Sequence, residues 1–171
     1  AALLANPNDI NTNYVTAGLF SFNDGGGGQF YYDKGATTAT NLGTVFAFPS
    51  PYTGRLKRVY LGDVDPRWFG ARGDGITDDT DAVQAAVNMV NVTVSEGTYL
   101  LTTNIAIYGS GRIRGSGRAI FTSQLPITMF TATNAPYAKY NIELEGLIFN
   151  GNHVASVAEI GYGLYPGNSG T

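Results

Sequence analysis

The amino-acid sequence predicts a mainly β protein, with a small antiparallel module, one α-helix and then a coiled stack of short strands. Composition is the first indication, because only 13% of the 171 residues are charged while glycine (23) and tyrosine (11) are frequent. That balance is typical of turn-rich β architecture. Second, short β-branched and aromatic segments alternate with Gly, Asn and Pro clusters. Third, apolar positions recur about every twenty-one residues, at Leu100, Phe121 and Ile142, as in stacked solenoid coils.

Charge and cysteine content argue against several functions. The net charge is -3 and the isoelectric point about 4.9, which provides no basic field to attract phosphates. The chain has no cysteine, so neither disulfides nor thiolate metal sites are available. Its apolar runs are too short to cross a bilayer. We therefore expect no nucleic-acid or membrane partner, no metal and no cofactor.

The first two regions precede the helix. Residues 1–17 are Asn-rich with one apolar run, ALLA, and are predicted to be an N-terminal arm or linker with a helical start. Residues 18–64 are predicted to form a small β connector of four strands in antiparallel hairpins, LFSF, QFYYD, TVFAF and RLKRVYL. The four consecutive glycines Gly25 to Gly28 lack the lysine and the strand-to-helix context of a phosphate-binding loop, so a flexible hairpin tip is expected.

Residues 65–91 contain a helix predicted from about Asp79 to Val90. Val83, Ala86, Val87 and Val90 have helical spacing and are expected to form one apolar stripe. Thr77, Asp78 and Asp79 can each cap the helix, and acidic side chains favour the positive end of its dipole.

Residues 92–171 are predicted to form the first coils of a solenoid. They contain no aspartate, and short strands such as NVTV, NIAIYG and NIELEG recur between turns. The first coil of a solenoid exposes its core at the open end, so the preceding helix is expected to cover it. Neither end of the chain has features of a natural terminus, and we expect a truncated segment of a longer polypeptide.

A resemblance to a known family sharpens these expectations. The segments PRWFGARGDGITDDTDAVQAAV and VTVSEGTYLLTTNIAIYGSGRIRGSG resemble the start of the pectate-lyase-like (pectate lyase 3 type) right-handed parallel β-helix, especially in bacteriophage tailspikes. In that family a Phe-Gly-Ala-basic-Gly-Asp-Gly-x-Thr-Asp-Asp-Thr run enters a capping helix, and a Gly-Thr-Tyr strand opens the first coil. The matching structural residues here are Phe69, Gly70, Gly73, Asp74, Gly75, Thr77, Asp78, Asp79 and Thr80. Arg72 stands where the family usually has Lys, and Ser95 near a common Pro.

The resemblance also implies a function. It implies a homotrimeric tailspike in the extracellular virion, whose N-terminal part joins other tail or baseplate proteins to the receptor-binding β-helix. The parent would bind and depolymerise bacterial capsule or lipopolysaccharide. Because catalytic residues of the family lie on middle coils, we expect this segment to lack the active site. The alternative is a secreted bacterial polysaccharide lyase or glycoside hydrolase of the same fold.

Several residues are candidates for chemistry, and each has a structural alternative. Glu143 and Glu145 share the outer face of a strand about 7 Å apart, within reach of acid and base roles in glycoside hydrolysis, although a solvated face would have the same pattern. Arg112 and Arg114 can form a uronate clamp or lyase-like electrophile, or surface salt bridges. His153 is the single histidine, with no nucleophile motif nearby.

The acidic motif itself has two further interpretations. Arg72-Gly73-Asp74 is a cell-adhesion tripeptide if it is exposed at a loop tip, and the aspartates between Asp74 and Asp81 invite comparison with a calcium loop. The ligand order of an EF-hand is absent, however. A tight turn, with positive φ at Gly73 and Gly75 and with Asp74 bonded to nearby amides, accounts for the same residues.

Overall fold

The computed structural model describes residues 13–48, 50, 52–132 and 142–151. The predicted helical start of the arm, His153 and the end of the chain lie outside these residues. The elements, in chain order, are β1 (Asn13–Thr16), β2 (Gly28–Asp33), β3 (Val45–Ala47), β4 (Arg55–Arg58), a 3-10 helix (Pro66–Phe69), β5 (Asp74–Asp78), α1 (Thr80–Val87), β6 (Asn91–Val94), β7 (Gly97–Leu100), β8 (Ile105–Ile107), β9 (Gly111–Ser123), β10 (Phe130–Ala132) and β11 (Ile142–Gly151). The predicted mainly β class is confirmed.

The first four strands form an antiparallel sheet in the order β1-β2-β4-β3. Alternate residues of a strand share a face, so Tyr14, Phe30 and Tyr32 point inward and meet Phe48 in a small buried aromatic core. The ring centroids of Tyr32 and Phe48 are 4.6 Å apart. This sheet is the small antiparallel β module that the sequence predicts, and it is called the connector below.

One predicted strand of the connector is wrong. The LFSF segment is a turn region, and the first strand is instead Asn13–Thr16, within the predicted arm. The carboxylate of Asp24 accepts the backbone N–H groups of Leu19, Phe20 and Ser21. Because a nearby side chain takes these donors, the segment adopts a turn rather than a ladder.

Parallel pairing begins after the connector and builds a β-helix with three faces. The first face contains Val64, β6 and the first halves of β9 and β11. The second contains β5, β7 and the second halves of β9 and β11. The third contains β8 and β10. The strands after Asn91 are therefore the first coils of a parallel β-helix, as predicted.

The stacking register differs in part from the prediction. Val92 pairs with Ile113 at the expected spacing of about twenty-one residues. Phe121, however, pairs with Tyr99 and Phe149, not with Leu100 and Ile142. The predicted equivalence of Leu100, Phe121 and Ile142 is wrong because the turns between faces differ in length from coil to coil.

Helix α1 covers the open end of the first coil. Val83, Ala86 and Val87 are buried in the same cluster as the inward side chains of β6, β7 and β8. Val90 was expected to complete this stripe, but it lies beyond the helix end, with φ +83° and 53% exposure. The chain turns there into β6, so the stripe ends at Val87. Within the described part of the chain, no helix has the length and apolar character needed to cross a membrane.

Candidate functional site

The GARGDGITDD motif forms a tight turn that leads into the helix. Gly73 and Gly75 have φ values of +62° and +75°, as predicted. Asp74 accepts the N–H groups of Ile76 at 2.9 Å and Thr77 at 2.7 Å. These bonds, chiefly that from the Thr77 N–H, lower the pKa of Asp74. Both oxygens of Asp74 are engaged, because the second accepts the Thr77 hydroxyl. The carboxylate of Asp74 is therefore used within the turn, which disfavours the adhesion interpretation.

The two aspartates at the helix start perform different tasks. Asp78 caps α1, since its Oδ1 accepts the N–H of Thr80 at 3.0 Å, and its Oδ2 accepts the Thr102 hydroxyl at 2.7 Å. Asp79 was also expected to cap, but its side chain bonds backward to the N–H groups of Arg72 and Gly73. It is buried, and desolvation raises its pKa.

The turn provides a test of its backbone conformation. Replacing Gly73 with valine is expected to lower the free energy of unfolding by about 2 to 3 kcal/mol, because a branched side chain is strained at this φ. Its Cβ would also lie 2.9 Å from Nη2 of Arg67. Replacing Arg72 with lysine should leave stability unchanged. Chemical denaturation of both variants measures the difference, and equal stability would contradict the account.

Arg58 joins the β connector to the 3-10 helix. Its guanidinium is buried and donates to the carbonyls of Gly43, Gly27 and Gly26 at 2.8, 2.7 and 2.7 Å. It lies between two rings, 4.6 Å from the centroid of Phe30 and 4.5 Å from that of Trp68. Desolvation lowers its pKa to about 10, so the group remains charged at neutral pH.

Arg67, in the 3-10 helix, makes a second contact with the loop that contains Gly25 to Gly28. It donates to the carbonyls of Asp24 at 3.3 Å, Arg72 at 3.0 Å and Glu96 at 2.9 Å. Gly25 packs against its side chain so closely that a Cβ there would be 2.5 Å away. The glycines lie in the loop between β1 and β2, with Gly28 at the start of β2, and form a packed, hydrogen-bonded contact surface for two arginines, rather than the flexible hairpin tip that was expected.

Asp24 makes the glycine loop sensitive to acid. Burial raises the pKa of its carboxyl, but N–H donors from Ser21, Phe20, Leu19 and Gly26 outweigh that effect and hold the pKa far below its ordinary value of 3.8. A depressed folded-state pKa gives stabilisation that is full above the unfolded value and is lost as pH falls through the folded value. The stability difference between the wild type and Asp24→Asn should therefore shrink below pH 3.8. Urea denaturation of both proteins at pH values above and below 3.8 measures this difference in stability. A difference that does not change with pH would contradict the prediction.

The predicted charged residues lie together on the outer side of the first face. Arg112 and Arg114 pair in register with Glu143 and Glu145 on the next coil. Both arginines nevertheless reach the other way, to Oδ2 of Asp63, at 3.3 and 3.7 Å. A hydrogen bond from Thr93, then Arg112 and Arg114, lower the pKa of Asp63.

Glu143 and Glu145 project outward, with Ile142 and Leu144 turned inward, as predicted. Neither glutamate forms an ion pair with a described residue. With Asp63 included, this charged face carries three carboxylates and two guanidiniums. Asp63 already pairs with both guanidiniums, which disfavours binding of an acidic sugar by Arg112 and Arg114.

The structure also identifies residues that sequence reasoning missed, namely Arg58, Arg67, Asp63 and Gln84. Alternation along RLKR places Arg58 on the same face as Leu56, which is a signal for an inward charge. The contacts of Gln84, in contrast, depend on the coil geometry. No group of three or more potential metal ligands occurs among the residues that the structure describes.

Comparisons with known proteins identify the fold. Residues 65–157 match the model of the family described as rhamnogalacturonase A/epimerase, pectate lyase-like. The tailspike protein of Acinetobacter baumannii phage AM24 superposes with a TM-score of 0.69 and 25% identity, covering 84% of this chain and 27% of that one. Pantoea stewartii WceF, a glycan biofilm modifying enzyme with a tailspike-like parallel β-helix, has a TM-score of 0.61 and 22% identity, covering 84% and 23%.

Two sequence relatives have names that describe action on polysaccharides. The capsule K3-specific depolymerase 1 of Klebsiella phage KP32 is 37% identical over 86 residues, covering 37% of this chain. A probable glucan endo-1,3-beta-glucosidase of Arthroderma benhamiae is 35% identical over 91 residues, covering 46%. The chain spans 10% of the length of either protein. The resemblance to pectate-lyase-like proteins and phage tailspikes is confirmed.

Proposed function

Because the chain belongs to the rhamnogalacturonase A/epimerase, pectate lyase-like family, we propose that it is the N-terminal segment of a phage tailspike that degrades bacterial surface polysaccharide. The likeness to the tailspike of phage AM24 and to the capsule depolymerase of phage KP32 supports this function. Capsule and lipopolysaccharide are the proposed substrates. Location in the extracellular virion tail follows from the same proposal.

Within that protein, this segment links the virion anchor to a trimeric receptor-binding β-helix. This role is supported by the contact between the β connector and the 3-10 helix. There, Arg58 and Arg67 donate charged hydrogen bonds to backbone carbonyls of the loop that contains the four glycines. Such bonds are short and directional, so they suit a linker that transmits load. Other tail or baseplate proteins bind at the N-terminal side in this proposal. The division into 1–17, 18–64, 65–91 and 92–171 is part of it.

The active site lies on coils that follow the described ones. Glu143 and Glu145 remain the candidate carboxylate pair of this chain, and Arg112 and Arg114 its candidate substrate contacts. Their neighbours favour a solvated face, since the arginines are already paired with Asp63.

Incubation of the whole tailspike with purified capsule and lipopolysaccharide tests the function. Release of oligosaccharides is expected from the whole protein and from a variant with Glu143→Gln and Glu145→Gln, but not from residues 1–171 alone. Ultraviolet absorbance of unsaturated products separates elimination from hydrolysis. If the whole protein cleaves no bacterial polysaccharide, the proposed function is wrong. If the double variant loses cleavage, the active site includes the first face, where Glu143 and Glu145 lie.

The alternative is a secreted bacterial polysaccharide lyase or glycoside hydrolase that acts as a monomer. The bacterial enzyme WceF, which shares the fold, favours this candidate. Sedimentation of the whole protein separates the two: a stable homotrimer supports the tailspike, and an active monomer supports the secreted enzyme.

A further inference from the structure

The outer side of the first face carries one polar residue from each of three successive coils in a single row. Asn91 of β6 pairs with Arg112 of β9, and Arg112 pairs with Glu143 of β11. Paired residues of parallel strands point to the same side of the sheet, and neighbouring strands lie about 4.8 Å apart. An amide, a guanidinium and a carboxylate therefore follow one another along the β-helix axis over about 10 Å.

This row lines an open cleft of about 410 Å³, together with Val90, Ser110 and Gly111. The volume is within the range of about 300 to 1,000 Å³ that is typical of small-molecule sites. A stable protein partner needs an interface of about 1,000 Å² or more, which is far larger than this cleft. The cleft therefore suits a small ligand or one unit of a polymer.

The rim of the cleft contains a residue with a strained backbone. Val90 has a φ of +83°, in the left-handed region, and its side chain is 53% exposed. Positive φ is exceptional for a β-branched residue, and strain of this kind concentrates at functional sites. Gly111 packs so closely against Val90 that a Cβ at position 111 would clash with the Val90 carbonyl oxygen. Glycine would relieve the strain at position 90, whereas valine places an apolar group at the edge of the cleft.

The polar groups of the row have unused hydrogen-bonding capacity toward the described residues. The Glu143 carboxylate forms no ion pair with any of them. The Oδ1 of Asn91 accepts the Arg112 N–H at 3.3 Å, while its amino group has no acceptor there. Arg112 uses Nη2 for Asp63 at 3.3 Å and keeps Nη1 without an acceptor in the same part of the chain. One cleft thus combines spare donors with a spare acceptor.

We propose that this cleft binds a neutral sugar unit of a bacterial surface polysaccharide, as a non-catalytic anchoring site on the first coils. The inference rests on the proposed function, in which the same polysaccharide is degraded on later coils. A sugar hydroxyl both donates and accepts, so the hydroxyls donate to Glu143 and accept from Asn91 and Arg112, while the C–H face of the ring packs against Val90. The unpaired carboxylate of Glu143 repels an acidic sugar, so the site selects neutral units.

Titration of the 171-residue chain with the purified capsule and lipopolysaccharide of the cleavage assay tests the inference. Binding is expected to shift the NMR amide signals of Asn91, Ser110 and Gly111. Glu143→Leu should weaken binding about tenfold, because it removes a charged hydrogen-bond acceptor. Glu96→Leu is the matched control, since Glu96 is exposed and lies outside the cleft, and its affinity should equal that of the wild type. Polygalacturonate, whose units are all acidic, should not bind.

Val90→Gly separates loss of the site from loss of folding. Glycine adopts the positive φ without strain, so the midpoint of urea unfolding should not fall. Affinity should nevertheless drop about threefold to tenfold, because the apolar contact with the sugar ring is lost.

Three results would overturn the inference: no binding of either bacterial polysaccharide, equal binding of polygalacturonate, or unchanged affinity in Glu143→Leu or in Val90→Gly. The outcome is distinguishable from failure of the proposed function. Cleavage by the whole protein without binding by this chain refutes the anchoring site alone, whereas binding by this chain without cleavage by the whole protein refutes the proposed degradation alone.

Discussion

Replacing Arg58 with methionine is expected to lower the free energy of unfolding by about 3 to 5 kcal/mol, the range for removing one partner from a buried charged network. The guanidinium is 6% exposed and donates to three carbonyls, those of Gly43, Gly27 and Gly26. Without it, these acceptors lose their charged donor, and the packing of the guanidinium against the rings of Phe30 and Trp68 is lost. Urea denaturation measures the loss.

The neighbouring residue on the same strand supplies a matched control. Lys57 forms a partly exposed ion pair with Asp33 at 2.7 Å, and ion pairs at the surface contribute about 0 to 1 kcal/mol. Lys57→Met should therefore have a small effect. If Arg58→Met and Lys57→Met have the same free energy of unfolding, the contacts of Arg58 do not stabilise the packing of the β connector against the 3-10 helix.

Replacing Phe121 with alanine is expected to cost about 3 to 5 kcal/mol, because it leaves a cavity in the centre of the β-helix. Phe121 is fully buried, and its ring centroid lies 5.6 Å from that of Tyr99, 5.0 Å from Phe130 and 5.9 Å from Phe149. These rings come from all three described coils, so one substitution weakens the stack in both directions.

Phe22→Ala is the control for this second substitution. The Phe22 side chain is 79% exposed, and a surface substitution typically changes stability by less than about 0.5 kcal/mol. Thermal or chemical denaturation compares the two variants. A Phe121→Ala protein as stable as Phe22→Ala would show that the aromatic stack is not the core.

Local chemistry made part of this structure predictable. The positive φ angles of Gly73 and Gly75, the bonds of Asp74 and the apolar stripe of α1 each involve neighbours in the chain. The LFSF strand was wrong for a local reason too, since Asp24 competes for backbone donors within a few residues. Turn-forming side chains of this kind outweigh the strand preference of Phe20 and Phe22.

Other features depend on distances that spacing along the chain does not determine. The order β1-β2-β4-β3 decides that Arg58 lies across from Phe30, and hairpin reasoning does not yield that order. The aromatic stack depends on turn lengths, which shift Phe121 from Leu100 to Tyr99. Arg112 and Arg114 form ion pairs with Asp63 and not with the glutamates in register with them. This pairing depends on where the connector joins the first coil.

Thiol labelling of single-cysteine variants tests the central claim, that α1 closes the open end of the stacked coils. The protein has no cysteine, so Val83→Cys and Asp81→Cys each introduce one unique thiol on opposite sides of the same helix. Because Val83 is buried in the core and Asp81 is exposed, labelling at position 83 should be slower by orders of magnitude under native conditions. The two rates should become equal in denaturant. Equal rates in the native protein would contradict the account.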